Sequence, residues 1–90
     1  MTEKDILYSF GVRDEGTSDE SNFYTVTLSN VDEFSKVHSL LNKSDIVEVE
    51  ESEVTMDGTE ITYTYGDNEY FIVLAADFNK DEAEISIRKL

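Results

Sequence analysis

The sequence predicts an α+β fold, an antiparallel sheet of about five to six strands with one helix packed on one face, in the order ββαββββ. Three observations lead there. Several short stretches alternate apolar and polar residues at strand period, one segment alone has an apolar stripe at helical spacing, and Asp57-Gly58 sits between two alternating runs as a hairpin-turn signal.

Taken in order, Ile6–Val12 sets Ile6, Tyr8, Phe10 and Val12 against Leu7, Ser9 and Gly11, which reads as a first strand with one richer face. The polar, acidic run from Asp14 to Asn22 lacks periodicity and is expected to be a mobile loop between paired strands. Phe23–Leu28 supplies the second strand. Ser29 or Asn30 can cap a helix; with Asn30 at the cap, Glu33 is placed to reach back to the cap amide, and Val31, Phe34, Val37 or His38, and Leu41 then form one apolar stripe.

Asp57-Gly58 predicts a two-residue type I′ turn, and register follows by arithmetic. With Met56 opposite Thr59, Val54 faces Ile61, Ser52 faces Tyr63 and Glu50 faces Tyr65. One face then holds Val54, Met56, Ile61, Tyr63 and Tyr65; the other holds Glu51, Glu53, Thr55, Glu60, Thr62 and Thr64. Val47 and Val49 share parity with Glu51, so a bulge or kink is expected near Glu50-Glu51. Gly66-Asp67-Asn68 turns the chain into Tyr70–Ala76, whose near-continuous apolar character marks a central strand. Glu84–Leu90 closes the pattern, with Ile85 and Ile87 inward.

Length and composition bound the rest. A chain of 90 residues suits a single domain over 1–90, burying ~60–65% of its unfolded surface. Hydrophobic content of 39%, with five Phe and five Tyr, is more than a disordered acidic chain would have. There is no Cys, which excludes disulfides, thiol catalysis and thiolate metal sites. The opening Met1-Thr2-Glu3-Lys4-Asp5 lacks the features of a secretory signal, and no apolar run is long enough to span a membrane, so a cytoplasmic protein is expected.

Catalytic and cofactor signals are weak. Asp77-Phe78-Asn79-Lys80-Asp81 resembles the opening of a calcium loop, but Glu82 stands where that loop needs Gly and Arg88 where it needs Glu, so a plain turn is expected. His38 is the only histidine and sits on the helix as a packed or half-exposed ring. With no second His, no Cys and no phosphate-binding glycine motif, the expectation is a protein that is not an enzyme and uses no cofactor or metal.

What remains is charge. Asp and Glu number 21 against seven Lys or Arg, a net charge of −14, and the acids run along strand segments instead of collecting in a tail. Such a surface disfavours compactness and repels nucleic acid and anionic membrane. It fits plain solvation, cation buffering, adaptation to salt or competition with nucleic acid; five of the seven basic residues being Lys, with few Ala, argues against salt adaptation. Competition has a geometric basis. Same-face side chains recur every ~6.6 Å along a strand and strands lie ~4.8 Å apart, while a DNA strand advances ~3.4 Å per phosphate.

In being small, cysteine-free, acidic and α+β, the chain resembles the DNA-mimic inhibitors that bacteriophages direct against host DNA-binding proteins. Ser44–Leu90 is similar in spacing to the latter half of the phage uracil-DNA glycosylase inhibitor, from Ser44-Asp45-Ile46-Val47 to Ile87-Arg88-Lys89-Leu90. That inhibitor has a proline-bearing helix entry where this chain reads Leu28-Ser29-Asn30-Val31-Asp32-Glu33, and no residue role is transferred from it. The resemblance implies inhibition by occupying the DNA-binding surface of a basic bacterial protein, without binding nucleic acid or membrane. An HU-type nucleoid protein is the leading target, because architectural proteins bind through phosphate charge and shape. A homodimer would suit a two-fold target. The expected partner-binding residues are Glu48, Glu50, Glu51, Glu53, Asp57 and Glu60 on the hairpin, with Asp32 and Glu33 either a second patch or charges that simply favour the helix dipole; Asp14, Glu15, Asp19 and Glu20 either extend the track or only keep their loop solvated. The alternative is an acidic protein-binding module with exposed Tyr or Phe as hot spots, or an inhibitor of a glycosylase, restriction or CRISPR nuclease or RNA polymerase that does not act by DNA mimicry.

Overall fold

Thr2 begins the chain's first helix, where the alternation of Ile6–Val12 predicts a strand. In the computed structural model, which describes residues 2–18 and 20–90, Glu3–Ser9 forms α1. Thr2 Oγ1 accepts from the Asp5 amide at 3.2 Å and Asp5 Oδ2 accepts from the Thr2 amide at 3.1 Å, a reciprocal capping box. These bonds hold the Asp5 carboxyl below its ordinary pKa. At the other end the Gly11 amide donates to Tyr8 O and the Val12 amide to Leu7 O, both at 3.1 Å, with Gly11 at φ +89°. That is a Schellman motif, and Leu7 and Val12, its two apolar positions, are both buried in the core cluster. Ile6, Leu7 and Phe10 are buried at helical spacing, while Tyr8, which the strand reading turns inward, is 56% exposed and lies under the Arg13 guanidinium at 3.8 Å.

The following segment thus joins a helix, not a strand, to the sheet, and contributes a two-residue strand of its own. Strand β1 (Thr17–Ser18) pairs antiparallel with β2 (Tyr24–Leu28), Thr17 opposite Thr25. Helix α2 spans Val31–Lys43 and buries Phe34, Val37 and Leu41, as its spacing predicts. Asn30 caps it by accepting from the Glu33 amide at 3.0 Å, but the Glu33 carboxylate turns to Lys36 at 3.3 Å instead of back to the cap amide. His38 is half-buried and stacks on Phe34, ring centroids 5.7 Å apart.

Four long strands complete the chain: β3 (Val47–Val54), β4 (Gly58–Tyr65), β5 (Tyr70–Asp77) and β6 (Glu82–Lys89). All neighbours pair antiparallel in one six-stranded sheet of order β1-β2-β6-β5-β4-β3. The fold is α+β, with two helices in place of the one expected and a sheet that stays open. Ile6, Leu7, Phe34, Val37 and Leu41 of the helices form one cluster with Val26, Tyr63, Ile72, Leu74, Ile85 and Ile87, so both helices cover the same face of the sheet.

The hairpin differs from its predicted register in an instructive way. Val54, not Met56, faces Thr59, and Ser52, not Val54, faces Ile61. The connection is Met56-Asp57, closed by the Thr55 amide donating to Gly58 O at 2.8 Å, with Thr55 Oγ1 accepting from the amides of Asp57 and Gly58. Neither Met56 nor Asp57 has positive φ, so the turn is not type I′. Gly58 serves a different purpose: it lies inside β4 opposite Asp77, where a Cβ would sit 2.3 Å from Ala76 O. Gly58→Ala should therefore destabilise the fold by about 1–3 kcal/mol, measured by urea unfolding. Because the slip is by two residues, side-chain parity is preserved and Glu51, Glu53 and Glu60 still share a face. The expected bulge is present between Val49 and Glu51 and returns Val47 and Val49 to the helix side. Burial is less complete than expected. Tyr63 and Ile61 are buried, whereas Val54 and Met56 are 74% and 96% exposed and stand outside the core cluster.

Tyr63 is fully buried, yet its hydroxyl finds no hydrogen-bond partner among the described residues, and burial raises its phenol above the ordinary pKa. Tyr63→Phe removes an unsatisfied polar atom at constant ring volume, and thermal unfolding should register a gain of up to about 1 kcal/mol.

Candidate functional site: the open sheet face

The face of the sheet turned away from the helices is built by strand alternation, and the ladder arranges it in cross-strand rows. One row runs Thr27, Glu84, Ala75, Glu60, Glu53; the next runs Thr25, Ser86, Val73, Thr62, Glu51; a third runs Arg88, Phe71, Thr64, Glu48. Glu50, at the bulge, belongs here too, since it accepts from Thr64 Oγ1 at 3.4 Å.

Charge on this face is graded. Glu48, Glu50, Glu51 and Glu53 fill its β3 margin, with Glu60 beside them on β4, and all are exposed. Glu53 and Glu60 stand directly opposite each other, a like-charge pair that weakens the sheet. Among the described residues no Lys or Arg pairs with a hairpin carboxylate; the ion pairs present are Lys4–Glu15 and Lys36–Glu33. On β5 the face is uncharged, with Phe71, Val73 and Ala75 half-buried between Thr62, Thr64 and Ser86, while the exposed Glu84 of β6 stands opposite Ala75. Arg88 lies at the opposite corner, its guanidinium 5.1 Å from the Phe23 ring.

The structure therefore brings together five of the expected partner-binding residues, Glu48, Glu50, Glu51, Glu53 and Glu60. Asp57 stands apart at the hairpin tip, where it accepts from Asn79 Nδ2 at 2.8 Å. Asp32 and Glu33 are in the first turn of α2, in the layer on the other side of the sheet, where their charge suits the helix N-terminus. Asp14, Glu15 and Glu20 flank β1, at the sheet edge opposite β3, so they do not lengthen the β3 track; Asp19 lies outside the described residues. Sequence reasoning missed Glu84, which alternation with Ala83 and Ile85 places on the open face, and the outward Phe71, Val73 and Ala75. The signal for these three was available, because helices on a single face leave the back of a central strand uncovered.

Local chemistry elsewhere is structural. Asp77 Oδ1 accepts from the amides of Asn79 and Lys80 at 3.0 and 3.2 Å, and Asp81 Oδ1 accepts from the Val31 amide at 3.0 Å, so both carboxylates of the calcium-like segment shape its turn and tie it to α2. Among the described residues no three metal-ligating side chains converge, and no helix is long and apolar enough to cross a membrane. The depressions are shallow and open; one of about 440 Å³ is lined by Thr27, Ala75, Asp77, Glu82 and Glu84. Compared with known family models, characterised proteins and solved structures, the chain matches none.

Proposed function

We propose that the protein is a DNA-mimic inhibitor that occupies the DNA-binding surface of a basic bacterial protein, with an HU-type nucleoid protein as the leading target. One observation supports this above the others: a lattice of carboxylates on β3 and β4 is held on paired strands, with no Lys or Arg ion-paired to it among the described residues, and includes the Glu53–Glu60 repulsion. A cationic surface brought from outside relieves that repulsion. A rigid sheet with charges spaced by ~4.8 and ~6.6 Å presents a density like that of a phosphate backbone, whose strand repeats every ~3.4 Å. In this reading the protein is phage-made, acts in the host cytoplasm and contacts neither nucleic acid nor membrane, and a homodimer would extend its charged track.

A second reading draws on the half-exposed Phe71, Val73 and Ala75. They suit a protein-binding module whose affinity comes from apolar contact, with charge setting encounter rate. The two readings separate on a column. Bacterial lysate is passed over the immobilised protein, and the retained material is challenged with salt and with duplex DNA. The mimic reading expects a basic DNA-binding protein released by DNA and by about 0.5 M salt, where the Debye length is only a few ångströms. Retention that resists both would overturn it in favour of the apolar module.

A further inference from the structure

Strand β3 is an edge, and its exposed side differs from the other edge of the sheet. β1 has two residues, whereas β3 has eight and, among the described residues, no neighbour beyond it. Which of its backbone groups are unused follows from the hydrogen bonds at its ends. Gly66 donates to Ile46 O, and Thr55 donates to Gly58 O, each at 2.8 Å. Antiparallel ladders alternate, so Glu48, Glu51, Glu53 and Thr55 bond to β4, while the backbone N–H and C=O of Val47, Val49, Ser52 and Val54 point to the open edge. The side chains of these four lie on the helix side of the sheet. Two of them, Val49 and Val54, are 56% and 74% exposed. The same strand thus presents free backbone bonds, an uncovered apolar row on one face and a row of glutamates on the other.

We infer that β3 is a strand-addition site, and that its occupant is an extended segment of the partner in which basic and apolar residues alternate. The inference rests on the proposed reading of the partner as a basic DNA-binding protein, and adds how that partner is gripped. Charge complementarity selects the occupant: an added strand lays alternate side chains beside Glu48, Glu51 and Glu53 and the others beside Val49 and Val54. A second copy of this chain is a poor occupant, because pairing β3 with β3 would set glutamates against glutamates along the same face.

The probe is a synthetic heptapeptide alternating Lys and Val, compared with the same composition unalternated and with a version N-methylated at its valines, the residues that would lie opposite the free backbone groups. Hydrogen exchange should show the Val49, Ser52 and Val54 amides gaining protection with the alternating peptide. N-methylation should weaken binding by about tenfold or more. Ser52→Pro in the protein, which removes an edge donor not used by β4, should weaken it similarly without unfolding the sheet. Equal binding of all three peptides overturns strand addition, and so does protection of these amides by self-association of the protein, seen in sedimentation without peptide. Either result leaves the DNA-competition experiment untouched, so the two proposals fail separately.

Discussion

Replacing Glu51, Glu53 and Glu60 together by lysine is expected to abolish partner binding while leaving the fold intact. Each change alters the charge by +2, so the chain moves from −14 to −8 and stays acidic and soluble. All three side chains are exposed on the open face, and none of the three accepts a hydrogen bond that shapes a turn or cap in the hairpin. The Glu53–Glu60 repulsion becomes a Lys–Lys repulsion of similar size, so stability changes little. Affinity should fall by about a hundredfold or more, because three attractive contacts become repulsive at once. The glutamine triple variant gives the intermediate case, weaker binding with a shallower dependence on salt. Reversing Asp32 and Glu33 should have little effect, since α2 lies on the other side of the sheet. Calorimetry or biolayer measurements with the captured partner read all three variants. Unchanged affinity in the lysine triple would end the mimic reading and shift attention to Phe71 and Val73.

The separation of these two patches marks where sequence reasoning runs out. Face assignment in the hairpin was legible, because parity survives a slip of two residues; exact pairing was not, because Gly58 suggests a turn although it is required for close approach to Ala76 O. The bulge was legible from the conflict between Val47, Val49 and the glutamates that follow. The strand assignment at Ile6–Val12 failed because apolar residues at 6, 8, 10 and 12 satisfy a two-residue period, while Ile6, Leu7 and Phe10 equally satisfy a helical one. Two local signals favoured the helix: Thr2 with Asp5 three residues on, and Gly11 at the place of a C-terminal cap. Which sequence-distant acids share a surface depends on strand order, which residue pattern alone does not encode.

The amino-terminal segment also gives the second large prediction. Leu7→Ala should cost about 2–5 kcal/mol, because Leu7 is buried and its truncation leaves a cavity between α1 and the sheet. Leu7 also holds an apolar position of the Schellman motif, whose other apolar position, Val12, is buried in the same cluster, so α1 loses part of its anchor. For a domain this small, each kcal/mol lowers the melting temperature by about 4–8 °C. A chain of charge −14 has less stability to lose at low ionic strength, where its carboxylates repel across the surface. Added salt should therefore raise the melting temperatures of wild type and variant together while leaving their difference nearly unchanged. Tyr8→Ala is the control that makes the comparison decisive. A strand over Ile6–Val12 would place Tyr8 on the richer, inward face and Leu7 outside, so Tyr8→Ala would be the more damaging change. The helix reverses the order, since Tyr8 is largely exposed and contributes mainly its stacking with Arg13. A larger loss at Leu7 than at Tyr8 is what α1 requires; the opposite ranking would return this segment to the sheet.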